Sequence, residues 1–206
     1  VKLVIWGAGG HGRQVCEVAL ACGVTDVVFV DDVVRGRHHG YPVMGGPESL
    51  RALQGRGFTH FVVAIGDNAI RARCFAAAWA AGLAPATLIH PSAVVSSTAR
   101  VAEGTVIMPG ALVNANASVG SNCIVNSGAV VEHDCCLGDH VHLSSGAVLG
   151  GGVRVGSYAL IGLGAVVLPG AFVGERAVVG AGAVVVREVP ACVTVVGVPA
   201  RVIEKA

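Results

Sequence analysis

Residues 125–160 read VNSGAV VEHDCC LGDHVH LSSGAV LGGGVR VGSYAL, six consecutive hexads that each begin with Val or Leu. The register extends both ways from there: Ile, Leu or Val stands at position 89 and at every sixth position through 185. Four residues after most of them comes a small side chain, as at Ala93, Ala99, Ala111, Ala129, Ala147, Ala165 and Ala183. Gly follows the aliphatic directly at 120, 138, 150, 156, 162, 174 and 180. A period of six fits neither a helix nor a plain strand alternation, and a fixed period marks a repeat architecture. If each hexad makes one short strand and one turn, three hexads close a triangular coil. The aliphatic and small residues then point inward, and Gly relieves the corners. The expected fold is a left-handed parallel β-helix, an exception to the right-handed crossover rule.

Upstream of the repeats the pattern is different. Lys2–Trp6 reads as a strand, followed by the loop Gly7-Ala8-Gly9-Gly10-His11-Gly12 and a helix to about Cys22, stopped by Gly23. Val27–Val30 is a second strand ending at Asp31-Asp32; residues 33–46 read as a basic loop, and Pro47 suits the first turn of a short helix. Phe61–Ile65 is a third strand, and Asn68 can cap a helix over Ala69–Ala81 before Gly82. This is α/β alternation. The expected fold class is therefore α/β plus all-β, with a small Rossmann-like domain over residues 1–86 and the β-helix over 87–206, ending in a short tail. Leu88-Ile89-His90-Pro91 leaves no long linker between them.

Composition excludes several partners. The formal charge is +1 with 13% charged residues, so no basic surface suggests nucleic acid. Residues 105–131 carry no charge and Val155–Gly174 is apolar, but the six-residue period runs through both, so coil interior is expected rather than membrane spans. Val1-Lys2-Leu3 enters a strand at once, and no secretory leader is expected. The seven cysteines contain no C-x-x-C, which fits free thiols in a cytoplasmic setting.

Two constellations carry chemistry. Gly7, Gly9 and Gly12 match G-x-G-x-x-G, with acids Asp31 and Asp32 after the next strand. Backbone N–H groups at a helix start favour phosphate, and a carboxylate favours ribose hydroxyls or base N–H groups. Only one mononucleotide half is present, so a nucleotide-containing ligand is expected before NAD. The second is Glu132-His133-Asp134, at a turn of the coil, with His140 and His142 in the next hexad. The H-x6-H-x-H spacing spreads these rings over different faces, so no metal is expected. His133 and Gly151, one coil apart, should stack about 4.8 Å from each other. His133 and His142, half a coil apart, could share a site only across subunits.

The order Gly-rich loop, Asp31-Asp32, Ile65-Gly66-Asp67-Asn68, Leu88-Ile89-His90-Pro91, Glu132-His133-Asp134, His142 and Gly197-Val198-Pro199-Ala200-Arg201 resembles the bacterial hexapeptide-repeat sugar acetyltransferases. That group holds sialic-acid O-acetyltransferases and the UDP-4-amino-sugar N-acetyltransferases of bacillosamine-type pathways, and the second is the nearer likeness. The resemblance implies acetyl-CoA as donor, a nucleotide-linked amino sugar (UDP first) as acceptor, and a homotrimer with the site between subunits. It implies His133 as general base and Asp134 as the acid orienting it. It places His142 and the Gly151 N–H at the thioester, and Leu163 and Ala181 along coenzyme A. Gly9, Gly10, His11, Asp31, Asp32 and Gly66 align with the nucleotide-sugar site. Two departures stand out: Asp134 is shorter than the Glu of some members, and residues 33–46 are longer and more basic. The chemistry implied is direct transfer, with His133 taking the amine proton, Asp134 holding its tautomer and Gly151 polarising the carbonyl. Cys135 and Cys136 offer a nucleophilic route, although Cys135 at a small inward position is most simply core. O-acetylation of a sugar hydroxyl is the nearest alternative; a NAD-dependent oxidoreductase and a zinc hydratase are the alternatives from other classes.

Overall fold

The computed structural model describes residues 1–203; the last three residues of the second unit lie outside the described residues. The chain begins with β1 (Lys2–Trp6), α1 (Gly10–Ala21), β2 (Asp26–Asp31), β3 (Gly36–His38), β4 (Tyr41–Gly45), α2 (Ser49–Gly55), β5 (His60–Val63), α3 (Asn68–Ala80) and β6 (Ala84–Pro85). These strands form one sheet in the order β3-β4-β2-β1-β5-β6, parallel except for β3 against β4. Leu3, Val4 and Ile5 are fully buried, as expected of a central strand covered on both faces.

Three expectations for this unit are corrected. Residues 33–46 are not a plain loop, because β3 and β4 pair as a hairpin. His39 and Gly40 form its two-residue turn with φ 47° and 81°, the doubly positive geometry that matches strand twist. His stands where Asn is usual, which hid the turn. The cap of α3 is Asp67, whose Oδ1 accepts from Ile70 N at 2.8 Å, and Asn68 is the first helical residue. Pro47 precedes α2 rather than opening it, since the helix starts at Ser49.

From Leu88–Ile89 to Val184–Val185 run seventeen two-residue strands that build the three faces of a left-handed parallel β-helix. The first face carries Leu88–Ile89, His142–Leu143, Leu160–Ile161 and Val178–Val179; the second carries Val130–Val131 and Val148–Leu149; the third carries Cys136–Leu137 and Arg154–Val155. Register partners lie one coil apart, as in Val130↔Val148 and Cys136↔Arg154. In most strands the second residue points inward, and Val131, Leu143, Leu149, Ile161 and Val167 are fully buried with Ala147, Ala159 and Ala165. Burial of each large aliphatic contributes about 1.5–3 kcal/mol, so the regular register is the main source of stability here. The first coil is the exception: Ile89 is 37% exposed and Val95 and Val101 are only partly buried, because no coil lies beneath them.

The glycines have two roles rather than the single one expected. Directly after the aliphatic, the next coil's backbone passes too close for a side chain: a Cβ on Gly150 would meet Pro169 N at 2.7 Å. Two residues later the chain turns through positive φ, where Gly, Asn and Asp are tolerated best. Asp134 occupies such a corner at φ 59°. The C-terminal stretch is also more than a tail, since Arg201–Ile203 pairs antiparallel with Thr194–Val196.

The first face packs against the α/β unit: Leu88, Val106 and Met108 share a core with Leu3, Val15 and Phe29. Among the described residues no helix is long and apolar enough to cross a membrane.

Candidate active site

Two groups of predicted residues are assembled, on different parts of the chain. The first lies where the α/β unit meets the first face. Gly9 and Gly10 open α1, both exposed, with open space where a side chain would project. Close approach is needed elsewhere in the loop, where a Cβ on Gly12 would fall 2.0 Å from Gly7 O. Asp31 holds the loop from beside it: Oδ2 accepts from Ala8 N at 2.8 Å, and Oδ1 accepts from Val33 N at 2.8 Å and Val34 N at 2.9 Å. Partial burial pushes its carboxyl up, but the three N–H donors and Arg35 outweigh that and hold it below the usual range. The Asp32 side chain is exposed and, among the described residues, without a hydrogen-bond partner.

The two carboxylates should therefore fail differently when removed. Asp31→Ala is expected to lower the thermal midpoint, since each lost charge-assisted hydrogen bond is worth about 1.5–3 kcal/mol, and to raise the KM for the expected nucleotide-sugar ligand by loosening the glycine loop. Asp32→Ala should raise that KM with the midpoint unchanged. Calorimetric titration with CoA should be near wild type for both; weakened CoA binding alone would put the two ligands in the wrong units.

His11 and His142 stack at this junction, with centroids 6.4 Å apart and planes at 26°. His142 Nδ1 lies 3.3 Å from Gly66 O, so Nδ1 carries the proton and Nε2 faces Asn126 Nδ2 at 3.5 Å. Burial, then the Arg71 charge, push His142 down to about 4, and the same two causes lower His11. The His142 ring is therefore neutral in ordinary buffers. His11 Nε2 has no hydrogen-bond partner among the described residues.

The second group stands at the corner between the second and third faces. The positive φ of Asp134 folds its side chain back onto its neighbour, so His133 Nδ1 donates to Asp134 Oδ2 at 2.8 Å although the residues are adjacent. Asn116, one coil below, donates from Nδ2 to Asp134 Oδ1 at 3.2 Å. The Asp134 hydrogen bond raises the His133 imidazole above its usual value, and that contact lowers Asp134. The His133 ring lies directly over Gly151, where an added Cβ would be 2.6 Å from Nε2. Gly151 N has no backbone acceptor among the described residues, while the neighbouring Gly152 N donates to His133 O at 2.9 Å. Leu163 and Ala181, both exposed, line the corner between the first and second faces. Within one chain the second face separates them from His133, and no contact joins His133 to His142 among the described residues.

His140 joins neither group; it packs against Tyr158 with ring centroids 4.7 Å apart. Cys135 is buried with Sγ 3.2 Å from Gly150 O, and burial raises its thiol, which suits a core residue and not a nucleophile.

Comparison with known proteins agrees with this architecture. Residues 2–78 match the family described as PglD N-terminal domain, and residues 116–151 match the bacterial transferase hexapeptide (six repeats). A perosamine N-acetyltransferase variant from Caulobacter crescentus, solved with CoA and GDP-perosamine, is 43% identical over 100% of this chain and 98% of its own, with TM-score 0.96. The chain belongs to the PglD-type hexapeptide-repeat sugar N-acetyltransferases. The acetyltransferase domain of PglB from Neisseria gonorrhoeae, solved with acetyl coenzyme A, is 41% identical over 98% of both chains, TM-score 0.94. WeeI from Acinetobacter baumannii is 28% identical over 98% of this chain and 99% of its own, TM-score 0.88. No curated protein sequence matches significantly. Family membership leaves the oxidoreductase and hydratase readings without support.

Two residues of this PglD-type enzyme went unread in the sequence. Asn116 was within reach, because it lies one coil before Asp134 and coil neighbours stack. Arg71 gave no signal, since an Arg in the first turn of a helix reads as solvated.

Proposed function

We propose that the chain transfers the acetyl group of acetyl-CoA directly to the amine of a nucleotide-linked amino sugar. The observation that carries the reading is the His133–Asp134 pair poised over Gly151 on an open corner, in a chain that shares its whole length with a perosamine N-acetyltransferase. With Nδ1 committed to Asp134, His133 presents Nε2 as the base. The neutral amine attacks the thioester carbonyl, the N–C bond forms and the C–S bond breaks. The amine proton passes to His133 Nε2 and on to the leaving sulfur. The Gly151 N–H is placed to receive charge developing on the carbonyl oxygen. Leu163 and Ala181 flank the pantetheine path.

On this reading residues 1–86 bind the nucleotide sugar through Gly9, Gly10, His11, Asp31, Asp32 and Gly66, and residues 87–206 bind acetyl-CoA. His142 belongs to the same site, supplied by a neighbouring copy, because His133 lies on the far side of its own prism. The half-exposed outward valines of the second face, Val130, Val148, Val166 and Val184, suit a trimer with prisms side by side. A cytoplasmic setting accords with the free cysteines.

The likeness to the bacillosamine group points to UDP and the Caulobacter relative carries GDP-perosamine. The test is therefore a thiol-release assay with acetyl-CoA across UDP-, GDP- and dTDP-linked amino sugars, with hydroxyl analogues alongside. Release with one amino sugar and its acetylated product by mass spectrometry is the expected result. Turnover confined to hydroxyl analogues would make it an O-acetyltransferase, and an active monomer by light scattering would end the shared-site assignment.

A further inference from the structure

We propose that Arg71 is a positioning residue for transfer: its guanidinium holds the Gly66 loop of the α/β unit in register with the His140–His142 stretch of the β-helix. This rests on the reading of the chain as a nucleotide-sugar acetyltransferase, because that reading puts the amino sugar at Gly66 and the donor near His142.

Arg71 is 0% exposed, on the inner side of α3. Full burial of Arg ordinarily requires a charged partner. Here, among the described residues, no carboxylate pairs with it. The guanidinium instead spends its fork on neutral oxygens. Nη1 donates to Ile65 O at 3.0 Å and Gly66 O at 3.2 Å, on the loop. Nε donates to Asn122 O at 2.9 Å and Nη2 to His140 O at 2.7 Å, on the coil, and Nη2 also reaches Asn68 Oδ1 at 2.8 Å. A planar fork with donors in fixed directions therefore joins two adjacent carbonyls of the α/β loop to one carbonyl on each of two successive coils. An apolar side chain could fill the same space, but it could not fix the distance between four carbonyls.

The bridge reaches the candidate site in one step. Gly66 O, which accepts from Arg71, is also the oxygen facing His142 Nδ1, and His142 is two residues from His140. The titratable and charged groups facing His142 are Arg71 from α3 and His11 from α1. The Arg71 charge thus bears on the His142 ring, while its fork bears on the spacing. The two effects can be separated.

Arg71→Lys keeps the charge and loses the fork; Arg71→Met loses both. If the fork sets the register, both variants should bind CoA and nucleoside diphosphates (GDP and UDP as probes, by calorimetry) near wild type, with kcat down by on the order of 10²-fold. By NMR the His142 ring should titrate as in wild type in Arg71→Lys and at higher pH in Arg71→Met. Asn68→Asp keeps an oxygen for Arg71 Nη2 but loses the bonds that Asn68 Nδ2 gives Tyr158 O at 2.8 Å and Ala159 O at 3.1 Å, while Asn68→Ala loses all three; neither strands a buried guanidinium charge. Asn68→Ala should lower kcat more than Asn68→Asp, and the pair serves if the Arg71 variants do not fold. Wild-type kcat in Arg71→Lys or in Asn68→Ala, or loss of both ligands in step with kcat, would overturn the proposal. If the wild type transfers acetyl to no nucleotide sugar, the functional reading has failed and this proposal with it, whereas a wild type that transfers beside an Arg71→Lys that keeps its kcat overturns this proposal alone.

Discussion

His133→Ala is expected to lower kcat by about 10²–10⁴-fold, the usual contribution of a general base, with the fold intact. The side chain projects from an exposed corner and fills no core, so its removal opens no cavity. The pH dependence carries the mechanism. The hydrogen bond that His133 Nδ1 donates to the Asp134 carboxylate keeps the imidazole protonated to higher pH than an isolated His, whose value is ~6.5. The wild-type rate should therefore rise with pH through a single inflection above that value, since only the deprotonated ring can take the amine proton. Asp134→Asn removes the charge that holds the proton, so the inflection should move to lower pH. Its kcat should fall less than in His133→Ala, because the base remains but is less well oriented. Cys135→Ala and Cys136→Ala should turn over near wild type. The measurement is kcat against pH for all five proteins at saturating acetyl-CoA, with circular dichroism as the control for folding. Wild-type turnover in His133→Ala, or an acetyl group trapped on either cysteine, would sink direct transfer.

Gly151→Ala should be nearly as damaging, though it removes no functional group. The backbone at 151 is not in the left-handed region, so Ala costs nothing there conformationally. Its Cβ would stand 2.6 Å from His133 Nε2 and 2.7 Å from Cε1, and one of the two must give way. The His133 ring is the softer partner because it is largely exposed, with 64% of its side-chain surface accessible. It should swing off its hydrogen bond to Asp134, and kcat should drop by on the order of 10²-fold, the loss a misplaced catalytic group commonly brings. The thermal midpoint should hardly move. The double variant His133→Ala/Gly151→Ala separates this from a direct role of the glycine. If Gly151 matters only as space for the ring, the double variant should be no slower than His133→Ala alone. A further drop would assign independent weight to the backbone at 151, as the oxyanion donor it is proposed to be.

The hexad register by itself determined the β-helix, its inward residues and the stacking of His133 on Gly151. A strict period fixes which residues share a corner, and simple addition of one coil length finds them. The same arithmetic would have found Asn116 beneath Asp134. The α/β alternation and the glycine loop were equally legible, because apolar runs and Gly spacing are local signals. Elsewhere local signals misled or were silent. The hairpin of β3 and β4 turns on a His at positive φ, which propensity does not favour, and Asp67 rather than Asn68 caps α3. Only the tertiary structure decided that the Asp31 carboxylate is held by backbone N–H groups, while the exposed Asp32 side chain has no hydrogen-bond partner among the described residues. Only it showed that His142 faces Gly66 and is held neutral by burial and by Arg71. These facts depend on how the α/β unit packs on the first face, and that packing joins residues some seventy positions apart. Burial and long-range hydrogen bonds have no period, so no pattern in the chain announces them.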